Sequence, residues 1–183
     1  MNKKVCFIGH RNVFKYNQIR ENLYSVVEQE IKKGCKFFTM GTRGEFDKLA
    51  LSICRELRNI YKDIEIEVVI TSFKEIKPII DHDPIFGDEK YIPYSDVKTT
   101  MYDIEEEHYK RKIVVSNQQM IDNCDTLICY VNPTKTYGGA KYAYQYAKKQ
   151  NKKIINFYDE KDDLTYGMPK EQKYNITTTC EKK

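Results

Sequence analysis

The sequence predicts an α/β domain in which a parallel sheet of about five or more strands carries helices on both faces. Three observations predict it. Short apolar runs alternate along the chain with segments of helical periodicity. The connections between successive runs are long enough to require parallel neighbours. Glycine-bearing turns follow several of the runs, at the strand ends where such sheets hold ligands.

The first run, Lys4 to Ile8, is apolar and bounded by Gly9, which suits a strand buried on both faces. Ile19, Leu23, Val26, Val27 and Ile31 then share one helix face, and Gly34 stops a helix expected over Lys15 to Lys33. Lys36 to Met40 is the second strand. After it comes the turn Gly41-Thr42-Arg43-Gly44, and Phe46, Leu49, Ala50, Ile53, Cys54, Leu57 and Ile60 follow at helical spacing. Ile64 to Ile70 is β-branched and forms the third strand.

From Thr71 to Asp103 the composition changes to prolines, acidic residues and aromatics, so this stretch reads as a long connection, an insertion or lid, with short elements of its own. Glu105 to Lys112 is rich in helix formers, and Ser116-Asn117-Gln118-Gln119 has capping-box spacing, which predicts a break near Val115 and a second short helix. Thr126 to Val131 is the fourth strand. Gly138-Gly139 opens a helix with Ala140, Ala143 and Ala147 on its small face, and Lys153 to Tyr158 is the fifth strand. One domain over 1–160 and a polar tail over 161–183, with a short strand near Tyr174 to Thr178, complete the expected organisation.

Composition removes several function classes. The net charge is +4 and the basic residues are interleaved with acidic ones, which argues against nucleic acid as a partner. No apolar run reaches the length of a membrane span, and Val5 to Ile8 is too short for a signal peptide, so a cytoplasmic setting is expected. Six cysteines without a C-x-x-C pair read as buried, reduced thiols. Three histidines at unhelpful spacing leave no metal site, and no cofactor is called for.

The strand ends are Gly9-His10-Arg11-Asn12, Gly41 to Asp47, Thr71-Ser72 and Asn132 to Ala140, so the glycine-bearing segments cluster in space. Two glycines at a strand-to-helix junction let backbone amides approach an anion. These stretches, with Asn117 to Asp125 between them, resemble the SLOG superfamily of Rossmann-like domains, which joins DprA-type and LOG-type proteins, and look closest to its small stand-alone YpsA-type members. The resemblance covers residues 4 to 158 and implies a pocket for a nucleotide-derived ligand, ADP-ribose-like, in a sensor or accessory protein that forms a homo-oligomer.

On that resemblance Gly9, Gly41 and Gly44 approach phosphate, Arg11 supplies a guanidinium fork and Thr42 a hydroxyl, while His10 meets a base. Asn117, Gly138 and Gly139 complete the expected ligand set. Glu45 and Asp47 are placed to accept ribose hydroxyl hydrogens, although an acidic first helical turn also answers the helix dipole. Arg111 matches an arginine that serves the LOG-type phosphoribohydrolases. Those enzymes carry a catalytic glutamate on the helix after their Pro-Gly-Gly turn, and here Tyr144 and Gln145 stand at the corresponding positions. Neither carries the negative charge that an oxocarbenium-like state requires, so binding ranks above hydrolysis, with Glu45, Asp47 and Arg111 as the candidates if a reaction occurs.

Overall fold

In the computed structural model, which describes residues 3–83, 87–104 and 108–159, the centre of the sheet is β1 (Lys3–Gly9). Its residues alternate between two cores: Val5 and Phe7 face one way, Cys6 and Ile8 the other, and all four are buried. That is why the run is apolar throughout rather than alternating. α1 (Tyr16–Lys32) buries Ile19, Leu23, Val27 and Ile31, and Gly34, at φ 90, ends it in the left-handed region that glycine tolerates. β2 (Cys35–Met40) leads into α2 (Glu45–Ile60), whose buried face includes Phe46, Leu49, Ile53 and Leu57. β3 (Glu65–Val69) follows.

The connection from 71 to 103 contains a short 3-10 helix (Phe73–Ile76), a separate antiparallel hairpin of β4 (Ile79–Asp83) and β5 (Gly87–Tyr91), and the strand β6 (Lys98–Thr100). β6 joins the main sheet beside β3. Its sequence, Lys-Thr-Thr, gave no apolar signal because polar side chains hold it. Thr100 Oγ1 donates to Glu67 at 2.6 Å, and Lys98 pairs with the same carboxylate at 2.8 Å.

α3 (Tyr109–Asp122) is one continuous helix, which corrects the expected break near Val115. Ser116, Met120 and Ile121 are all buried on one face of it, so packing of the apolar turn overrides the local capping signal at Ser116. β7 (Thr126–Tyr130) is buried along its whole length, α4 (Gly139–Lys149) covers it, and β8 (Lys153–Asn156) is the last strand described. β8 stops two residues before the expected Tyr158. There the Asn156 side chain accepts from Val131 N at 3.0 Å and donates to Val131 O at 2.8 Å, continuing the ladder in the manner of a backbone amide. The tail and the expected strand near Tyr174 lie outside the described residues.

The six strands of the main sheet run parallel in the order β6-β3-β2-β1-β7-β8. α1 and α2 pack on one face and α3 and α4 on the other, a Rossmann-like α/β architecture. The chain turns from one half of the sheet to the other between β1 and β7. At that reversal the turns that follow these two strands diverge, and a crevice opens beyond their carboxyl ends.

Candidate functional site

A cleft of ≈ 890 Å³ occupies that crevice. One wall is formed by the turns after β1 and β2, the other by α3 and the turn between β7 and α4. Its cationic side chains are Arg11, Arg43, Lys110 and Lys135, and Asp47 is the one carboxylate among the described lining residues.

The two turns of the first wall are packed backbone to backbone. A Cβ on Gly44 would come within 2.9 Å of His10 O and 3.1 Å of Arg11 Cα, so only glycine allows the contact. Glu45 N donates to Arg11 O at 2.9 Å, and the Glu45 carboxylate accepts from Val13 N at 2.8 Å. Gly44 and Glu45 therefore hold the turn after β1 in place and do not themselves line the cleft. Gly9 has a double use: it lines the cleft, and its missing Cβ makes room for Phe46, whose side chain would lie 2.5 Å away.

Asp47 sits at the floor of the second turn, 8% exposed. Its Oδ2 accepts from Arg43 N at 3.0 Å. Burial pushes its carboxyl up to about 7, against the opposing pull of hydrogen bonds from the Arg43 and Gly44 amides. Gly41 lies directly against this carboxylate, its Cβ position 3.3 Å from Oδ2.

Thr42 and Arg43 meet a partner that sequence reading missed, Glu75 on the short 3-10 helix. Its carboxylate accepts from Thr42 Oγ1, from Arg43 Nη2 at 2.9 Å, and from Thr71 N and Oγ1 at 3.1 and 2.9 Å. Arg43 also donates to Tyr109 Oη at 2.9 Å and stacks 4.8 Å from the centre of that ring, which ties the β2 turn to the start of α3. Arg43 Nε is buried with no hydrogen-bond partner among the described residues. The sequence did contain a signal for Glu75: Ser72-Phe73-Lys74-Glu75 has capping-box spacing, and Ser72 Oγ accepts from Lys74 N at 3.2 Å.

On the opposite side His10 stitches β1 to β7. His10 Nε2 accepts from Asn132 N at 2.8 Å, and the ring stands edge-on to Tyr130 and Tyr158 at 6.3 and 6.0 Å between centres. Asn132 turns the chain by accepting from Thr134 N and Oγ1, both at 2.7 Å, and donates to Tyr158 Oη at 3.1 Å. Gly138, at φ 131, starts α4 in a conformation that side chains disfavour. The Cβ position of Gly139 lies 4.0 Å from Asn117 Nδ2 on α3, so these two predicted residues pack against each other within the second wall.

The fold thus brings Gly9, His10, Arg11, Gly41, Thr42, Asp47, Asn117, Gly138 and Gly139 to one cleft. Arg111 is exposed and outside it, whereas its neighbours Tyr109 and Lys110 line it. Arg43, Thr71, Asn132 and Lys135 line the cleft as members of the strand-end segments read from the sequence, which gave them no role of their own. Among the described residues no cluster of His, Cys, Asp and Glu is arranged to hold a metal ion, and no helix is long and apolar enough to cross a membrane. The Arg43, Gly44 and Glu45 amides are taken up by Asp47 and Arg11 O, so the arrangement can receive a polyanion chiefly against its cationic side chains, with one carboxyl pushed up to about 7. A scan against protein-family models finds no match, and a comparison with curated proteins finds no similar sequence.

Proposed function

We propose that the cleft binds a nucleotide-derived anion of the ADP-ribose kind, and that the chain is a cytoplasmic sensor or accessory protein of SLOG type. The observation that carries this reading is the concentration of Arg11, Arg43, Lys110 and Lys135 around glycine-bearing turns at the sheet's reversal point, with a single lining carboxylate among the described residues. Phosphates fit the guanidinium and ammonium groups, and the start of α4 at Gly139 adds its N-terminal end to the same cleft. The exposed rings of Tyr109, Tyr137 and Tyr142 at the rim supply faces for a base. The same exposed tyrosines suit pairing with a second copy, which sedimentation analysis would detect.

Calorimetry against nucleoside mono- and diphosphates, ADP-ribose and cyclic ADP-ribose isomers tests the reading. Binding is expected, and Arg11→Ala should weaken it by about 10- to 100-fold, the loss of one charge-assisted hydrogen bond of ~1.5–3 kcal/mol. A panel in which nothing binds ends the proposal.

A second reading, hydrolysis of a nucleotide at its N-glycosidic bond, is favoured by one observation only: the carboxyl of Asp47, pushed up to about 7, lines the cleft. Of the two acidic candidates Asp47 leads, since the carboxylate of Glu45 is engaged by the Val13 amide. Release of free base from AMP by the native protein, abolished in Asp47→Asn, would promote this reading over simple binding.

A further inference from the structure

Cys6 and Cys124 are 118 positions apart in the chain, yet their Sγ atoms lie 3.1 Å apart under α3 and α4. The sheet, not chance side-chain rotation, sets this apposition. Asp125 N donates to Lys4 O at 2.9 Å, Lys4 N donates to Asp125 Oδ2 at 2.8 Å, and Cys6 is registered against Leu127 in the β1–β7 ladder. The turn bearing Cys124 is therefore zipped to β1 from Asp125, the residue directly after the sulfur, onward.

The two thiols are also chemically unequal. The hydrogen bond shared with Cys6 holds the Cys124 thiol below its ordinary value, and the Lys152 ammonium, which donates to Cys124 O at 2.7 Å, acts in the same direction. Burial pushes up Cys6, Cys54 and Cys129, and takes Cys35 to about 12. Cys124 is 5% exposed and Cys6 is fully covered, so a small oxidant reaches Cys124 first.

We propose that Cys6 and Cys124 are a reversible redox pair, oxidised to a disulfide by a hydroperoxide and restored by a dithiol reductant. In the first step the Cys124 sulfur attacks a peroxide oxygen; the S–O bond forms, the O–O bond breaks, and the departing oxygen takes up the Cys124 thiol proton and leaves as water, or as an alcohol from an organic peroxide. The Cys6 sulfur then attacks the sulfenic sulfur of Cys124; the S–S bond forms, the S–O bond breaks, and the hydroxide takes the Cys6 proton and leaves as water. Two thiols are oxidised and one peroxide is reduced. The sulfurs need to close from 3.1 Å to a bonded separation of about 2.05 Å, a shift of about 1 Å. Cys124 lies between the end of α3 and the start of β7, so the bond would tie that turn to β1 at the amino end of the sheet, away from the cleft.

The test treats the full chain with hydrogen peroxide at neutral pH, then maps all six cysteines by alkylation and mass spectrometry after an acid quench. Expected are a linked Cys6–Cys124 peptide, a chain lighter by two hydrogens, reversal by dithiothreitol, and a raised unfolding midpoint. Cys124→Ser should slow peroxide consumption at least about tenfold. Cys6→Ser should halt the reaction at a sulfenic acid on Cys124 that dimedone traps. The wild-type peptide map decides the matter even where a variant fails to fold. Oxidation of Cys35, Cys54 or Cys129 as fast as Cys124, a link formed only after denaturation, or over-oxidation of Cys124 with Cys6 left free would each overturn the proposal.

Discussion

Asp47 and Glu30 are both buried carboxylates, and folding moves their proton affinities in opposite directions. Burial raises Asp47 to about 7, so the folded state holds a proton that the unfolded chain has already lost. The stability this contributes is complete below about pH 3.8 and is lost as pH rises through about 7, on the order of 4 kcal/mol in all. Burial would raise Glu30 too, but hydrogen bonds from Lys153 at 2.9 Å and Lys33 at 3.2 Å outweigh it and leave its carboxyl below the ordinary value. Its contribution is present above about pH 4.3 and is lost as pH falls through the lowered folded value. Thermal midpoints measured from pH 3 to 9 should therefore peak between these limits, and Asp47→Asn should flatten the alkaline side while leaving the acid side intact. At the same scale Gly9→Ala should destabilise by ~1–3 kcal/mol in urea titration, because the new methyl meets the fully buried Phe46 ring and its Cβ.

At the scale of elements, the β2 turn, the 3-10 helix and the start of α3 act as one unit through Arg43 and Glu75. Glu75→Gln should cost ~1–3 kcal/mol by weakening a part-buried, charge-assisted set of hydrogen bonds. In a double-mutant cycle with Arg43→Gln the two losses should fall short of additivity by ~0.5–3 kcal/mol; strict additivity would mean that the pair is not coupled. The elements themselves were largely legible, because β1, β2, β7, α1 and α2 declare themselves through continuous apolar runs or helical spacing. What stayed hidden was polar. β6 is held by Thr100, Lys98 and Glu67, and β8 ends on the Asn156 amide. Glu75 reaches the cleft wall from 33 positions beyond Thr42, and no local pattern encodes such long-range hydrogen bonds. Within the site, the glycines and Asp47 could be read from a strand-to-helix junction, whereas the use of Glu45 as a brace for Val13 depends on how two turns meet in space.

For the whole molecule, the charge that matters is local. The net charge is only +4 on 183 residues, yet the cleft gathers four cationic side chains around one titratable carboxyl among the described residues. Affinity for an anionic ligand should accordingly fall as salt is raised, and fall less steeply in Lys110→Ala than in the native chain; calorimetry at 50 and 300 mM sodium chloride compares them. The two helical layers, meanwhile, are held to the sheet very unequally. α1 and α2 bury Leu23, Val27, Phe46, Leu49, Ile53 and Leu57, while α3 and α4 bury Met120 and Ile121 with the small side chains of Ala143 and Ala147. Amide hydrogen exchange should therefore reveal two cooperative units, with α3 and α4 opening at lower free energy than α1 and α2. The cleft would then have one wall that stays closed until global unfolding and one that breathes beneath it, and a ligand bridging the two would slow exchange chiefly in α3 and α4.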